Sequence, residues 1–204
     1  MYALVINNKI EKVFSNPEPF TLNDNQYPAQ IFTLWTTEEK QAIGIYEIET
    51  DSSKFKNESY YNNTNEIFEF KNGKAIRKWG TATPKQLEDV NAVDQNGDAI
   101  IQDGKQVVTK GLKSQKISIS KQQTAGLLQS TDWYVTRKSD TGTAIPQEIQ
   151  DFRNEVREVS NQQETQINVC TTVEQLKALY EYVNTGTEQS PIYTRTLAEF
   201  PRGI

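Results

Sequence analysis

Histidine is absent from these 204 residues, and cysteine and methionine occur once each. Without imidazole, Ser-His and Cys-His triads have no general base, and zinc sites built on imidazole or paired thiolates cannot form. The single cysteine, Cys170, excludes an internal disulfide framework and is expected to be a small buried thiol. No GxGxxG or GxxxxGK[ST] motif occurs, so no dinucleotide or P-loop phosphate cradle is indicated. No apolar run approaches the ~20 residues of a membrane span. The opening MYALVINNK lacks a basic leader, so the sequence predicts synthesis in a cytoplasm without the usual export. The Asn-x-Ser/Thr matches at Asn57 and Asn62 then carry no weight.

Apolar residues make up 35% and charged residues 24%, the rest being rich in Asn, Gln, Thr and Ser. Such a composition buries a thin core, and thin cores often complete their burial in a partner. The net charge is −5, with Lys and Arg spread along the chain. Binding to nucleic acid or to an acidic membrane surface is therefore not expected.

The pattern predicts an α+β fold with its classes segregated: a small antiparallel β-rich head over residues 1–82, a short helix and turn-rich linker over 83–111, and a helical hairpin or bundle over 112–204 with an irregular tail. In the head, Tyr2–Ile6 and Ile10–Phe14 read as strands across an Asn7-Asn8 turn. A Pro- and Asn-rich loop spans 15–28, and Ile31–Trp35 reads as a strand. Thr36 and Glu39 form a capping-box pattern that starts a short helix ending near Gly44. Ile45–Glu49 alternates as a half-buried strand, and residues 66–70 and 74–79 form a hairpin over Asn72-Gly73.

Thr83, Pro84 and Gln86 predict a helix start, with Leu87 and Val90 on its contact face. Asn96-Gly97 and Asp103-Gly104 punctuate the turns that follow. In the helical region, Leu112, Ile119, Ala125 and Leu127 are the expected stripe of the first helix. Pro146 opens a second helix whose Ile149, Phe152, Val156 and Val159 make an a/d seam that breaks at Gln163 and resumes at Ile167. A last helix is capped at Thr171 or Thr172 and carries Leu176, Leu179, Tyr180 and Val183.

Two clusters invite a chemical reading. The run from Asp94 to Asp98 offers oxygen ligands at alternate positions, but an EF-hand loop starting there needs Gly where Ala99 sits and Glu where Lys105 sits, so a turn is favoured over calcium. Tyr60-Tyr61, beside Asn62, Asn63 and Asn65, could form a sugar- or partner-binding surface, or pack on its own domain. The 27 acidic residues nominate no particular carboxylate pair. No catalytic residue, metal site or cofactor is predicted.

Residues 126–159 are the most specific stretch. Leu127, Leu128, Thr131, Asp132 and Trp133 are followed by Pro146, Phe152, Arg153 and Arg157. A polar helix ending in Leu-Leu, a Thr-Asp-Trp step, a Pro and an aromatic-Arg helix resemble the C-terminal region of bacteriophage tail assembly chaperone and tail-fibre-associated proteins, over about residues 112–176. That resemblance implies a non-enzymatic structural or adaptor component of the baseplate or tail-fibre region, located in the virion and made in the host cytoplasm. Its partners would be other tail, baseplate or fibre proteins in a homo- or hetero-oligomer, with neither nucleic acid nor membrane bound. A dissociable assembly chaperone and a small tail-associated carbohydrate-active enzyme are the alternatives. Physically, Thr131 or Asp132 is expected to cap the turn, and Trp133 to bury its indole between two helices, where truncation costs roughly 3–5 kcal/mol. Arg153 and Arg157, one turn apart on one face, can pair with Asp132, Asp151 or a partner's carboxylate. The set is a helix-hairpin lock, a docking face, or both.

Overall fold

The computed structural model describes residues 1–203. The fold is α+β, with a sheet in the N-terminal part and helices in the C-terminal part. It divides into two compact units, Met1–Pro84 and Lys85–Ile204. Among the described residues, no helix is long and apolar enough to cross a membrane.

The first unit opens with β1 (Tyr2–Ile6) and β2 (Lys9–Phe14). Asn7 and Asn8 join them with φ of 51° and 62°, the left-handed pair that matches strand twist in a two-residue hairpin. The expected loop after β2 contains a second hairpin, β3 (Phe20–Leu22) and β4 (Asn25–Tyr27). It turns on Asn23 and Asp24, again both at positive φ.

Ile31–Trp35 is not a strand. Its first four residues form a short helix, α1 (Ile31–Leu34). A helical turn buries Ile31 and Phe32 with Trp35 packed beside them and leaves Leu34 out in solvent. An alternating strand could not divide these residues that way. The Thr36–Glu39 capping box closes in both directions and starts α2 (Thr37–Ala42). At the exit, Gly44 sits at φ +81°, and a Cβ there would lie 2.6 Å from the Val5 carbonyl oxygen. Only glycine allows the close approach in which Val5 N–H donates to Gly44 O at 2.8 Å.

β5 (Ile45–Asp51), β6 (Tyr61–Asn62), β7 (Ile67–Lys71), β8 (Lys74–Lys78) and β9 (Thr83–Pro84) complete this unit. The sheet runs β2-β1-β5-β8-β7. It is antiparallel except between β5 and β8, which pair in parallel, so the head is mixed rather than purely antiparallel. Edge strands β2 and β7 also approach each other, curling the sheet towards closure. Leu4, Phe14, Ile31, Phe32 and Ile45 form its core. The Phe14 ring lies 5.1 Å from both Phe20 and Phe32, the offset contacts aromatic quadrupoles favour.

The second unit begins with very short strands: β10 (Val90–Asn91), β11 (Ile101–Gln102), β12 (Lys105–Gln106) and β13 (Val108–Thr109). The helix expected from Thr83 is absent: Thr83–Pro84 pairs with Tyr61–Asn62, and Val90 lies in a strand. The carbonyls of Gln86 and Leu87 accept from Leu112 N–H and Lys113 N–H at 2.9 and 3.1 Å. Asp89 accepts from Gly111 N–H at 2.8 Å. This loop therefore caps α3 (Leu112–Gln129), supplying acceptors for its orphan donors.

After α3 come α4 (Asp132–Thr141), α5 (Gln147–Asn168) and α6 (Val173–Tyr180). α4 occupies much of the stretch between the two long helices and ends at Gly142, φ 73°. α3 and α5 pack as the antiparallel hairpin, and Thr172 caps α6 through the Gln175 N–H. β14 (Val183–Asn184) and β15 (Tyr193–Thr194) form a last ribbon. The tail then folds back, burying Leu197 and tying Leu197 N–H to Leu179 O at 3.0 Å.

Candidate functional site

α3 and α5 meet along a seam whose α5 side is Ile149, Phe152, Val156, Val159, Gln163 and Ile167, all buried. The seam does not break at Gln163. The carboxamide, only 2% exposed, accepts from the Ser120 hydroxyl at 2.7 Å and donates to Ala198 O at 2.6 Å. Both ends of the amide are satisfied, as burial requires. Gln166 repeats the device one position from the seam, donating to Thr196 O and accepting from Ala198 N–H, each at 2.9 Å. These two glutamines hold the tail, and the sequence reading missed both. Gln163 stands four residues from Val159 and four from Ile167, which was the available signal.

On α3 the inward residues include Leu112, Ser120, Leu127 and Leu128, whereas the expected Ile119 and Ala125 face solvent. Lys116 takes an inner place instead. Its ammonium lies 4.7 Å from the Tyr180 ring, and burial pushes its pKa down.

At the far end of the seam, Arg153 is 7% exposed. Its Nη1 donates to Thr131 Oγ1 at 2.6 Å and to Leu128 O at 3.1 Å, and lies 2.9 Å from Asp132 Oδ1. Thr131 in turn donates its hydroxyl to Leu128 O at 2.9 Å. One buried cation thus binds the end of α3, the two-residue turn and the start of α4 to the second turn of α5. Phe152 is buried beside it, and Pro146 precedes the first residue of α5, its carbonyl accepting from Gln150 N–H at 3.1 Å. Arg157 stays outside this cluster; it is exposed, and its Nη1 donates back to Arg153 O at 3.3 Å.

Trp133 does not fill the angle between helices. It is 51% exposed because α4 starts at Asp132 and turns the indole outward. Its ring lies 3.8 Å from that of Tyr134, and the Arg137 guanidinium sits 4.7 Å from the indole and 5.2 Å from the phenol. No residue of α4 is buried. The lock and an exposed aromatic-cation platform are thus adjacent features of one motif.

The other candidates resolve locally. Tyr60 and Tyr61 are buried in the first unit, with Lys56 Nζ 4.4 Å from the Tyr61 ring, so they pack on their own domain. Asp94 Oδ1 accepts from Asn96 N–H at 2.8 Å and Asp98 N–H at 2.9 Å, the pattern of a side-chain-stabilised turn. Cys170 is buried, its thiol donates to Gln166 O at 3.3 Å, and burial pushes its pKa up, the opposite of an activated thiolate. Asp89 is the most perturbed acid: hydrogen bonds from Lys110, Gly111 N–H and Ser114 hold its pKa down at about 2.

No protein-family model matches the chain, and neither does any curated protein or solved structure.

Proposed function

We propose that this chain is a non-enzymatic structural or adaptor protein of a bacteriophage tail, acting at the baseplate or fibre region by docking to other tail proteins. The supporting observation is the way the residues of the resemblance converge. Leu128, Thr131, Asp132 and Arg153 share one hydrogen-bonded cluster, with Phe152 buried alongside, although 22 residues separate Thr131 from Arg153. α4, which starts at this cluster, carries half-exposed Trp133 with the Arg137 guanidinium against its ring. Half-exposed Trp beside Arg is the composition of interface hot spots.

Mass spectrometry of particles purified from the phage that encodes the chain tests this reading. Presence at a fixed stoichiometry in mature virions supports it. Presence in infected cells with absence from virions sinks it and favours a dissociable assembly chaperone. α4 favours that second reading in one respect: a ten-residue helix with no buried residue suits a contact made and released.

A further inference from the structure

Of the described residues that follow α6, Leu197 alone is buried, at 3% exposed. Tyr182, Val183, Ile192 and Tyr193, in and beside the β14–β15 ribbon, are 56–64% exposed, so the ribbon does not anchor the residues after it. Residues 196–198 are held by their backbone instead. Thr196 O accepts from the Gln166 carboxamide, and Ala198 N–H donates back to the Gln166 oxygen. Ala198 O accepts from the Gln163 carboxamide, and Leu197 N–H donates to Leu179 O. Every one of these bonds goes to a main-chain atom of the tail, and a single side chain, Leu197, goes in. Main-chain hydrogen bonds hold a segment whatever its sequence, and a side-chain pocket adds the preference. The groove between α5 and α6 therefore has the make-up of a peptide site, already occupied by the chain's own tail.

The tail does not fill it. A cleft of about 500 Å³ opens beside Thr196, walled by Val169, Cys170, Ala178 and Leu179 together with Gln166 and Gln175. A second cleft of about 510 Å³ opens beside Arg195, Glu199 and Phe200, against Gln123 and Leu127 of α3. The first cleft is mostly apolar, yet the residue the tail presents to it is an exposed threonine. Thr196 is thus the weak point of the fit. The tail of a second copy would bring the same threonine, leave the same cleft open and lose the advantage of a tether. A partner segment with a branched apolar residue ahead of the leucine would bury what the tail leaves empty.

We infer that the groove formed by Gln163, Gln166 and Leu179 is a docking site for a short segment of a partner protein in which an apolar residue precedes a leucine, and that residues 195–200 close this site in cis. It is separate from the Arg153 cluster and from Trp133, and its test needs no phage particle, so its failure would leave the tail assignment standing.

Fluorescence anisotropy with two labelled peptides spanning residues 193–202 reads the outcome, one of native sequence and one carrying Thr196→Ile. The protein is the full chain carrying Leu197→Asp, which withdraws the tail and leaves the groove residues in place. Both peptides should bind it, the Thr196→Ile peptide at least about threefold more tightly, as expected for one or two further buried carbons. The native chain should bind either peptide at least about tenfold more weakly, because its own tail competes at the high local concentration that a tether confers. Cys170, the single thiol and part of the cleft wall, gives a second reading. Leu197→Asp should speed its reaction with dithiobis(nitrobenzoate), and excess Thr196→Ile peptide should slow it again. In the otherwise native chain, Thr196→Ile should slow that reaction below the native rate, a readout that stands even if Leu197→Asp does not fold. No peptide binding to a folded Leu197→Asp chain, equal binding of a peptide carrying Leu197→Asp, a Thr196→Ile peptide no tighter than the native one, or a Cys170 rate unchanged by Thr196→Ile in the full chain would each overturn the inference. A native chain that sediments as a dimer and is made monomeric by Leu197→Asp would overturn it in favour of tails exchanged between copies.

Discussion

The Ser120 hydroxyl donates to the Gln163 carboxamide oxygen at 2.7 Å inside the α3–α5 seam, with both side chains buried. A buried polar pair in the seam fixes which residues face each other, because any slip leaves both groups unpaired. Gln163→Leu strands the Ser120 hydroxyl and the Ala198 carbonyl and should cost about 1–3 kcal/mol in chemical denaturation. Adding Ser120→Ala removes one stranded group and should recover part of that loss. The recovery stays partial because Ala198 O still lacks its donor. A double variant less stable than Gln163→Leu would contradict this assignment.

Arg153 serves three elements at once, so its removal should be felt at each. Arg153→Met keeps the buried stem and deletes the donors to Thr131 and Leu128. A loss of about 2–3 kcal/mol is expected, from the unsatisfied groups left behind. Asp132→Asn should cost less, about 1 kcal/mol or below, because that carboxylate is largely exposed and water replaces it. A larger loss at Asp132 than at Arg153 would show that the ion pair, not the hydrogen-bond cluster, holds the corner.

Local signals were legible in the sequence where a few adjacent residues decide the outcome. Asn7-Asn8 and Asn72-Gly73 turn as read, with positive φ at all four positions, and the Thr36–Glu39 box closes as read. Misreadings fell where a distant partner decides. Ile31–Trp35 is apolar enough for either element, and its packing with Phe14, Phe20 and Tyr27 settles on a helix. The carbonyls after Thr83-Pro84 cap a helix that begins at Leu112, a role no local pattern encodes. For the candidate site, the membership of Leu128, Thr131, Asp132 and Arg153 was readable. The direction of Trp133 was not, because it depends on a helix that starts at Asp132 and runs on to Gly142.

Trp133→Ala should change stability by no more than about 1 kcal/mol, the size of the exposed cation–π contact with Arg137. That is well short of a buried aromatic truncation. Intrinsic fluorescence should show the Trp133 emission close to that of a solvated indole in the free chain, isolated by replacing Trp35 and Trp79 with phenylalanine. A blue-shifted Trp133 signal, or a loss of several kcal/mol, would place the ring in the interior.

Asp89 ties the segment before β10 to the start of α3, accepting from Gly111 N–H and pairing with Lys110 at 2.7 Å. Its pKa is held at about 2, below the ordinary 3.8, so the folded state favours the ionised form. The sign follows: its stabilisation is complete above pH ~4 and lost as pH falls through about 2. In carboxyl-detected NMR, Asp89 should titrate near 2, and Lys110→Ala should move it up towards 3.8. Gly111→Ala tests the same junction sterically, since a Cβ there would meet the Glu88 carbonyl oxygen at 2.3 Å. It should loosen the Gln86 and Leu87 caps, raise amide exchange at Leu112 and Lys113, and shift the Asp89 titration upward. An Asp89 that titrates at its ordinary value in the native chain would mean the segment before β10 is not anchored to the start of α3 in solution.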